Sequence, residues 1–175
     1  KDGRMLTMDL DMYGEFSCRA KCRHCFEKKL FGIRKREGSL MSDEMVERVL
    51  HDAKELGLRS VKIIGPGEPL ENRSLFGFLE LLKDLRIKPI IFTKGTVIGD
   101  NELAWMVHNM SSEEVIARLR WYDVSIALGS NSFHPGTQED IVRLKGYPSI
   151  RNRAIELLVA HGFNEFVPGQ PTRLG

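Results

Sequence analysis

Segments with strand-like and helix-like apolar patterns alternate along the 175 residues, and this alternation limits the fold more than any other feature. Apolar residues occupy every second position from Leu6 to Met12, which predicts a strand. Further strands are predicted at 60–64, 89–93 and 123–128, with a fifth expected to begin near 163–167, and helices at 43–56, 75–85, 102–110, after 111 and at 150–161. This alternation favours an α/β fold with a parallel sheet and right-handed crossovers.

Capping residues mark the ends of several predicted helices. Ser42 has the side chain of an N-cap, and Ser111 with Glu114 three residues later has the pattern of a capping box. Gly57 and Gly162 follow the last apolar positions of two helices, as is typical of C-terminal caps. These signals separate the helices from the strands that they connect.

The polar and glycine-rich motifs directly follow the predicted strands. A cysteine-rich segment follows the first strand, the segment 65–68 (GPGE) the second, Thr93 the third and Ser130 the fourth. Parallel strands all end at the same edge of a sheet, and ligands bind at that edge in α/β folds. These residues are therefore expected to lie in one site.

Cys18, Cys22 and Cys25 are the only cysteines and have the spacing C-x3-C-x2-C, so they can supply three thiolates to one metal centre. Structural zinc ions and fully ligated iron–sulfur clusters take four protein ligands. A [4Fe–4S] cluster held by three cysteines leaves one iron open to a small molecule. A zinc site with His24 or a distant histidine as fourth ligand is the alternative, although C-x3-C is an unusual zinc spacing.

Together the motifs resemble those of the radical S-adenosylmethionine (radical SAM) superfamily. The cysteine motif, with His24 before its last cysteine and Phe26 after it, is similar to the superfamily's cluster-binding motif. GPGEPL at 65–70 is similar to the superfamily's "GGEP" segment, and TKGT at 93–96 to its "TNG" segment. The resemblance implies a partial (β/α)6 TIM-like barrel, truncated after the fourth or fifth βα unit. We expect a single radical SAM core domain, 1–175, incomplete at its C-terminal end.

The resemblance also implies the chemistry and the cofactors. Cys18, Cys22 and Cys25 would hold a [4Fe–4S] cluster whose open iron binds S-adenosylmethionine (SAM). Reductive cleavage of SAM would yield a 5′-deoxyadenosyl radical that abstracts hydrogen from a peptide or small-molecule substrate. Glu68 would accept a hydrogen bond from the methionyl ammonium of SAM. The residues expected to bind the cofactor are His24, Gly65, Gly67, Glu68, Thr93, Ser130 and Arg143.

The fourth strand departs from the superfamily's pattern. Its usual end, S-L-D-G, is replaced here by A-L-G-S at 127–130, so Ser130 is the substitute candidate for contacting the ribose, with Ser132 close behind. Arg143 is similar in position to an arginine that binds the SAM carboxylate. A turn serine and a solvated arginine are equally consistent with the sequence.

The overall charge excludes few partners, since 26 basic and 24 acidic residues give a net charge of +2. No apolar stretch is long enough to span a bilayer, and free cysteines fit a reducing, cytoplasmic compartment. Basic residues cluster between Arg19 and Arg36, and this patch could dock an acidic electron donor such as a flavodoxin or ferredoxin. The same patch could hold a nucleic acid, which we do not favour, or be solvated. The remaining histidines are expected to be solvated: His51, His108, His134 and His161.

Three functions remain open from the sequence. The first is a radical SAM oxidoreductase or transferase acting on a peptide or small molecule, and the motifs resemble those of members with a SPASM-type auxiliary-cluster domain. The second is an RNA-modifying or glycyl-radical-activating member of the same superfamily. The third is a non-catalytic scaffold that binds a cluster or zinc.

Overall fold

The computed structural model describes residues 5–11, 18–25, 41–65, 67–165, 168 and 173–175. Within these residues the strands are β1 (Thr7–Leu10), β2 (Ser60–Ile63), β3 (Lys88–Thr93) and β4 (Ser125–Leu128). The helices are α1 (Asp43–Glu55), α2 (Leu75–Asp84), α3 (Thr96–Gly99), α4 (Asn101–His108), α5 (Ser112–Trp121), α6 (Pro135–Val142) and α7 (Tyr147–Ala160), with a short 3-10 helix at Pro69–Glu71. The strands form one parallel sheet in the order of the chain, which confirms the predicted α/β fold.

One row of side chains across the sheet explains why the strands assemble. Leu10, Ile63, Ile91 and Ile126 are register partners on successive strands, and all four are buried in the main apolar core with the helices. Covering such a row on its helix side removes apolar surface from water, which stabilises the fold by about 25 cal/mol per Å².

The opposite face of the sheet is less covered. Phe92 is the register partner of Ala127. Its side chain points to the face opposite that of Ile91, because successive strand residues point to opposite faces of the sheet. Its side chain is 40% exposed, and Ile64 just after β2 is 36% exposed. Parallel sheets are usually covered on both faces. The described strands therefore form an unclosed sheet, consistent with a partial TIM-like barrel.

The fifth strand position differs from the prediction. Residues 161–164 form a turn after α7 in which Phe163 is buried in the core, while 166–167 lie outside the described residues. Instead, Leu174 makes a parallel bridge with Ile126, so the next backbone segment beside β4 is at 173–175.

The predicted caps are confirmed. The Ser42 hydroxyl accepts a hydrogen bond from the Met45 amide, and Ser111 and Glu114 form the reciprocal bonds of a capping box. Gly57 and Gly162 have φ angles of 98° and 73°, in the left-handed region that favours glycine. No helix in the described ranges is long and apolar enough to cross a membrane.

Close contact between two helices fixes the start of α7. A Cβ atom on Gly99, at the end of α3, would lie 1.9 Å from the Ile150 carbonyl oxygen in α7. Only a residue without a side chain allows the two backbones to approach this closely. Because α3 directly follows the turn after β3, this contact holds the first turn of α7 close to the end of β3.

Candidate active site at the carboxyl ends of the strands

Glu68 is bound by groups from two neighbouring loops at the carboxyl edge of the sheet. Its side chain is 4% exposed and accepts hydrogen bonds from the Thr93 hydroxyl, from the Lys94 amide at 2.8 Å and from the Leu70 amide at 3.4 Å. A carboxylate has about four acceptor positions. Three are used by these groups, which leaves Glu68 able to accept one further donor.

The environment of Glu68 changes its acidity. Burial raises the pKa of the Glu68 carboxyl to about 7, and the nearby Glu71 carboxylate adds to the rise. The hydrogen bonds from Thr93, Lys94 and Leu70 oppose it, since they favour the charged form. Glu68 is therefore partly protonated near neutral pH, and a cation placed against it would ionise it.

The backbone requires glycine at only one of the two positions just before Glu68. Gly67 has a φ of 88°, which strains any residue with a side chain. A Cβ on Gly65 would meet only ordinary van der Waals neighbours, at 3.7 Å from the Gly67 nitrogen and beyond. The fold does not itself require glycine at 65, which is consistent with a backbone kept bare for a ligand.

Glu71 connects this segment to the cysteine loop, although no sequence motif identifies it as a site residue. The buried Glu71 carboxylate accepts hydrogen bonds from the Arg19 amide and from the Thr96 hydroxyl, both at 3.0 Å. The residue after Cys18 is thereby fastened to the 3-10 helix and to α3. Glu71 is thus part of the framework of the site.

The three cysteines lie in one loop and are free thiols. The Cys25 amide donates to the Cys22 carbonyl at 3.3 Å across a turn, and the Cys18 thiol donates to the Ala20 carbonyl. Cys18 and Cys25 are exposed, whereas Cys22 is buried. His24 lies in the turn, exposed to solvent.

The protonation and the placement of the thiols bear on how they could bind a metal. Desolvation, with the nearby Glu68 and Glu71 carboxylates, raises the pKa of the Cys18 thiol to about 12. Among the described residues, no three His, Cys, Asp or Glu side chains are already gathered in a metal-binding arrangement. The loop therefore contains possible metal ligands, but their side chains are not already gathered around one point.

Backbone hydrogen bonds hold the cysteine loop against the end of α6. The Lys21 amide donates to the Val142 carbonyl at 3.0 Å, and the Arg23 amide to the Ile141 carbonyl at 2.9 Å. The Arg23 guanidinium also forms an ion pair with Asp140. Lys21 and Arg23 belong to the predicted basic patch, whose residues at 28–36 lie outside the described part of the chain.

The loop after β4 brings Ser130 to the same edge of the sheet. The exposed Ser130 hydroxyl accepts a hydrogen bond from Arg151 at 3.2 Å, and Arg151 also donates to the Ser132 carbonyl at 2.8 Å. Arg151 is only 3% exposed. Arg143, the arginine chosen from the sequence, is exposed at the end of α6 and lines an open groove of about 580 Å³. The structure therefore places Arg151, rather than Arg143, against Ser130.

His108 differs from the expectation that the remaining histidines are solvated. Its Nε2 lies 2.7 Å from the Leu70 carbonyl oxygen, and its ring contacts Phe76 edge-on. Burial lowers the pKa of His108, so the neutral ring donates to Leu70. His108 therefore supports the 3-10 helix that carries Glu71.

Tyr147 and Lys94 are two further site residues missed from the sequence. The Tyr147 hydroxyl lies 3.0 Å from the Lys94 carbonyl oxygen and 3.2 Å from that of Gly129, so it spans the ends of β3 and β4. The Lys94 amine extends from the end of β3 towards the Gly129 carbonyl and Asn131, at 3.4 Å from each. No sequence motif identified Tyr147 as a site residue, because it lies in a helix far along the chain from the other motifs. Lys94 lies in the TKGT motif, where the superfamily has asparagine.

Comparison with known proteins identifies the family of this chain. Two similar proteins are named "Probable GTP 3′,8-cyclase": one from Methanococcus maripaludis is 33% identical over 81 residues, and one from Sulfurisphaera tokodaii is 35% identical over 85 residues. The alignments cover 46% and 49% of this chain but only 26% of each relative.

The fold and the family model extend further along the chain. The crystal structure of Streptococcus suis SuiB matches with a TM-score of 0.58 and 21% identity, over 89% of this chain and 30% of SuiB. The model of the Radical SAM superfamily matches residues 16–171. The chain belongs to the radical SAM superfamily, whose enzymes use a [4Fe–4S] cluster and S-adenosylmethionine.

Proposed function

We propose that this protein is a radical SAM enzyme in which Cys18, Cys22 and Cys25 hold a [4Fe–4S] cluster beside a SAM site built around Glu68. The observation that carries the proposal is the junction between two motifs that lie far apart in sequence. The Glu71 carboxylate, three residues after Glu68, accepts a hydrogen bond at 3.0 Å from the amide of Arg19, the residue after Cys18. This contact supports a single site formed by the cysteine loop and the glycine–glutamate segment.

The donor set suits an iron–sulfur cluster. Three free thiols in one loop are soft ligands of the kind that bind such clusters, and the loop has no fourth cysteine to close the coordination. Metal ligation requires thiolates, so iron must displace the proton that the Cys18 thiol retains. Metal binding would bring the three sulfur atoms together. The contacts with Glu71 and α6 hold the cysteine loop beside the Glu68 segment.

A cluster held by Cys18, Cys22 and Cys25 would supply the electron for reductive cleavage of SAM, and SAM would supply the radical chemistry that removes hydrogen from the substrate. The protein's own groups bind and orient. Glu68 accepts a hydrogen bond from the methionyl ammonium at its remaining acceptor position, a charge-assisted contact. Gly65 and Gly67 leave space for this approach, and Thr93 holds the Glu68 carboxylate in place. Ser130 is proposed to contact the ribose, with His24 and Arg143 as further contacts of SAM.

The substrate is proposed to be a peptide or small molecule bound over the open face of the sheet. Ile64 and Phe92 present apolar surface there, next to the ends of β2 and β3. A nucleotide is a second candidate, favoured by the name of the cyclase relatives. The electron donor is proposed to be a flavodoxin or ferredoxin that docks near Lys21 and Arg23 in a reducing, cytoplasmic compartment.

Anaerobic reconstitution tests the proposal. The purified protein is expected to bind iron and sulfide in a [4Fe–4S] ratio, to change its electron paramagnetic resonance (EPR) spectrum on addition of SAM, and to form 5′-deoxyadenosine with dithionite. A variant with Cys18, Cys22 and Cys25 replaced by alanine should do none of these. Bound zinc, or a cluster whose spectrum ignores SAM, would refute the proposal. A cluster that responds to SAM without producing 5′-deoxyadenosine would support a scaffold instead.

A further inference from the structure

Tyr147 contacts three parts of the site that are separate in sequence. Its ring packs against Cys22 and Val142 in a small apolar cluster, apart from the main core. Its hydroxyl reaches the carbonyl oxygens of Lys94 at 3.0 Å and Gly129 at 3.2 Å. One fully buried side chain thus joins the cysteine loop to the ends of β3 and β4.

Neighbouring contacts fix Tyr147 in this place. Gly146, immediately before it, has a φ of 74°, so the chain turns sharply into α7 at this residue. The contact of Gly99 with Ile150 holds the same helical turn against α3. Gln138, itself buried, lies beside Tyr147 and accepts the amide of Ser132 at 2.7 Å. The tyrosine is therefore held by the loops that it connects.

We infer that Tyr147 is the positioning residue that sets Cys22 against the ends of β3 and β4, an inference that rests on the proposed function. The two halves of the side chain have separable roles. The ring covers Cys22 and fixes the middle cysteine of the loop. The hydroxyl ties the end of β3 to the end of β4, and so sets the spacing between Glu68, which is bound by the Lys94 amide, and the loop that carries Ser130.

Thiol alkylation of the metal-free protein tests the role of the ring without any cofactor. Iodoacetamide labelling followed by peptide mass spectrometry gives a rate for each cysteine. In the unaltered protein, the buried Cys22 is expected to react more slowly than the exposed Cys25. Cys18 is compared only between variants, because its raised pKa leaves little reactive thiolate. Tyr147→Leu should speed labelling of Cys22 by about tenfold, the change expected when an aromatic cover of this size is lost. The rates of Cys18 and Cys25 should stay unchanged.

SAM binding to the reconstituted protein tests the role of the hydroxyl. Tyr147→Phe keeps the ring, so cluster content and Cys22 labelling should match the unaltered protein. Affinity for SAM, from calorimetry and from the SAM-dependent EPR change, should fall by about fivefold, as expected for one lost hydrogen bond. Tyr122 provides the matched control, because its hydroxyl donates to Glu80 at 2.6 Å in another part of the fold. Tyr122→Phe should leave SAM affinity unchanged.

Two results would overturn the inference. One is equal acceleration of all three cysteines in Tyr147→Leu, since this would mean general loosening of the fold. The other is a Tyr147→Phe variant that binds SAM as tightly as Tyr122→Phe. Failure of the unaltered protein to take up a [4Fe–4S] cluster would instead refute the proposed function, and the alkylation rates would still show whether Tyr147 governs Cys22.

Discussion

The Lys94 amide donates a 2.8 Å hydrogen bond to Glu68 across the gap between the ends of β2 and β3. The Thr93 hydroxyl and Leu70 amide bind the other carboxylate oxygen, so the carboxyl has little freedom to turn. Burial meanwhile raises the pKa of Glu68 to about 7. A group fixed in direction but close to half-ionised makes ligand binding at this site sensitive to pH.

Affinity for SAM is expected to increase with pH through about 7, because only ionised Glu68 attracts the methionyl ammonium with its full charge. Glu68→Gln should weaken SAM binding by about tenfold or more, as expected for a hydrogen bond to a charged group, and should flatten the pH profile. Calorimetric titration of SAM between about pH 6 and pH 8 measures both. The control is Glu80→Gln, an exposed glutamate on α2. A Glu68→Gln profile as steep as that of the unaltered protein would contradict this assignment.

The same shift in pKa has the opposite effect on stability without ligand. Folding raises the Glu68 pKa from 4.5 to about 7, so the folded state binds more protons than the unfolded state in that range. The free energy of unfolding should therefore fall as pH rises from about 4.5 to about 7, by up to about 1.4 kcal/mol per pH unit from this group. Urea unfolding at several pH values measures this, and Glu68→Gln should remove the contribution. If the free energy of unfolding of Glu68→Gln falls with pH as steeply as that of the unaltered protein, another group is responsible.

Glu71→Gln is expected to loosen the cysteine loop. The buried carboxylate accepts from both the Arg19 amide and the Thr96 hydroxyl, and glutamine replaces this charged acceptor by a neutral amide of the same shape. Replacing charge-assisted bonds by neutral ones should lower hydrogen-exchange protection at residues 18–25 by about fivefold. Exchange followed by mass spectrometry checks this, with Glu80→Gln as control. Equal protection in the two variants would show that the loop is held by α6 alone.

Gly99→Ala is expected to destabilise the protein, because its Cβ atom would overlap the Ile150 carbonyl of α7. Overpacking of this kind costs about 1–3 kcal/mol. Gly77 on α2 is the matched control, since a Cβ there meets nothing within 4 Å and alanine should stabilise the helix by about 0.5–1 kcal/mol. Thermal unfolding of both variants should give shifts of opposite sign. A stabilising Gly99→Ala would mean that α3 and α7 are further apart.

Patterns local in sequence account for the part of the fold that could be predicted. The period-two pattern of the first strand, the Ser42 and Ser111 caps and the glycine caps are encoded within a few residues, and the structure has them. The common carboxyl edge of the strands followed from the same patterns. By contrast, α6 has only Gln138 and Val142 buried, so it has no apolar stripe to reveal it.

The framework of the site could not be predicted because it depends on packing between distant segments. Glu71 is an acidic residue in a short 3-10 turn, and only the folded chain places the Arg19 amide against it. Tyr147 and Arg151 reach the site from α7, and a sequence pattern does not show which turn of that helix meets the strand ends. The approach of Gly99 to Ile150 sets that position.

Arg151→Met is expected to loosen the loop after β4. The buried guanidinium donates to the Ser130 hydroxyl and to the Ser132 carbonyl, and methionine keeps an unbranched apolar stem without the donors. Affinity for SAM should fall by about fivefold or more through displacement of Ser130. Arg143→Met is the comparison, because Arg143 was the arginine indicated by the sequence. Calorimetric titration measures both affinities. A larger loss of SAM affinity in Arg143→Met than in Arg151→Met would assign the larger role in SAM binding to Arg143.

The backbone of Leu174 has a consequence for how a peptide could bind. The amides of Ile126 and Leu128 and the carbonyl of Ile126 are already bonded to residues 173–175. An extended polypeptide that docks by strand augmentation needs main-chain groups that are not already hydrogen-bonded, so it cannot pair along that edge of the sheet. Recognition of a peptide would then depend on side-chain contacts over the exposed face of the sheet, or on the edge at β1.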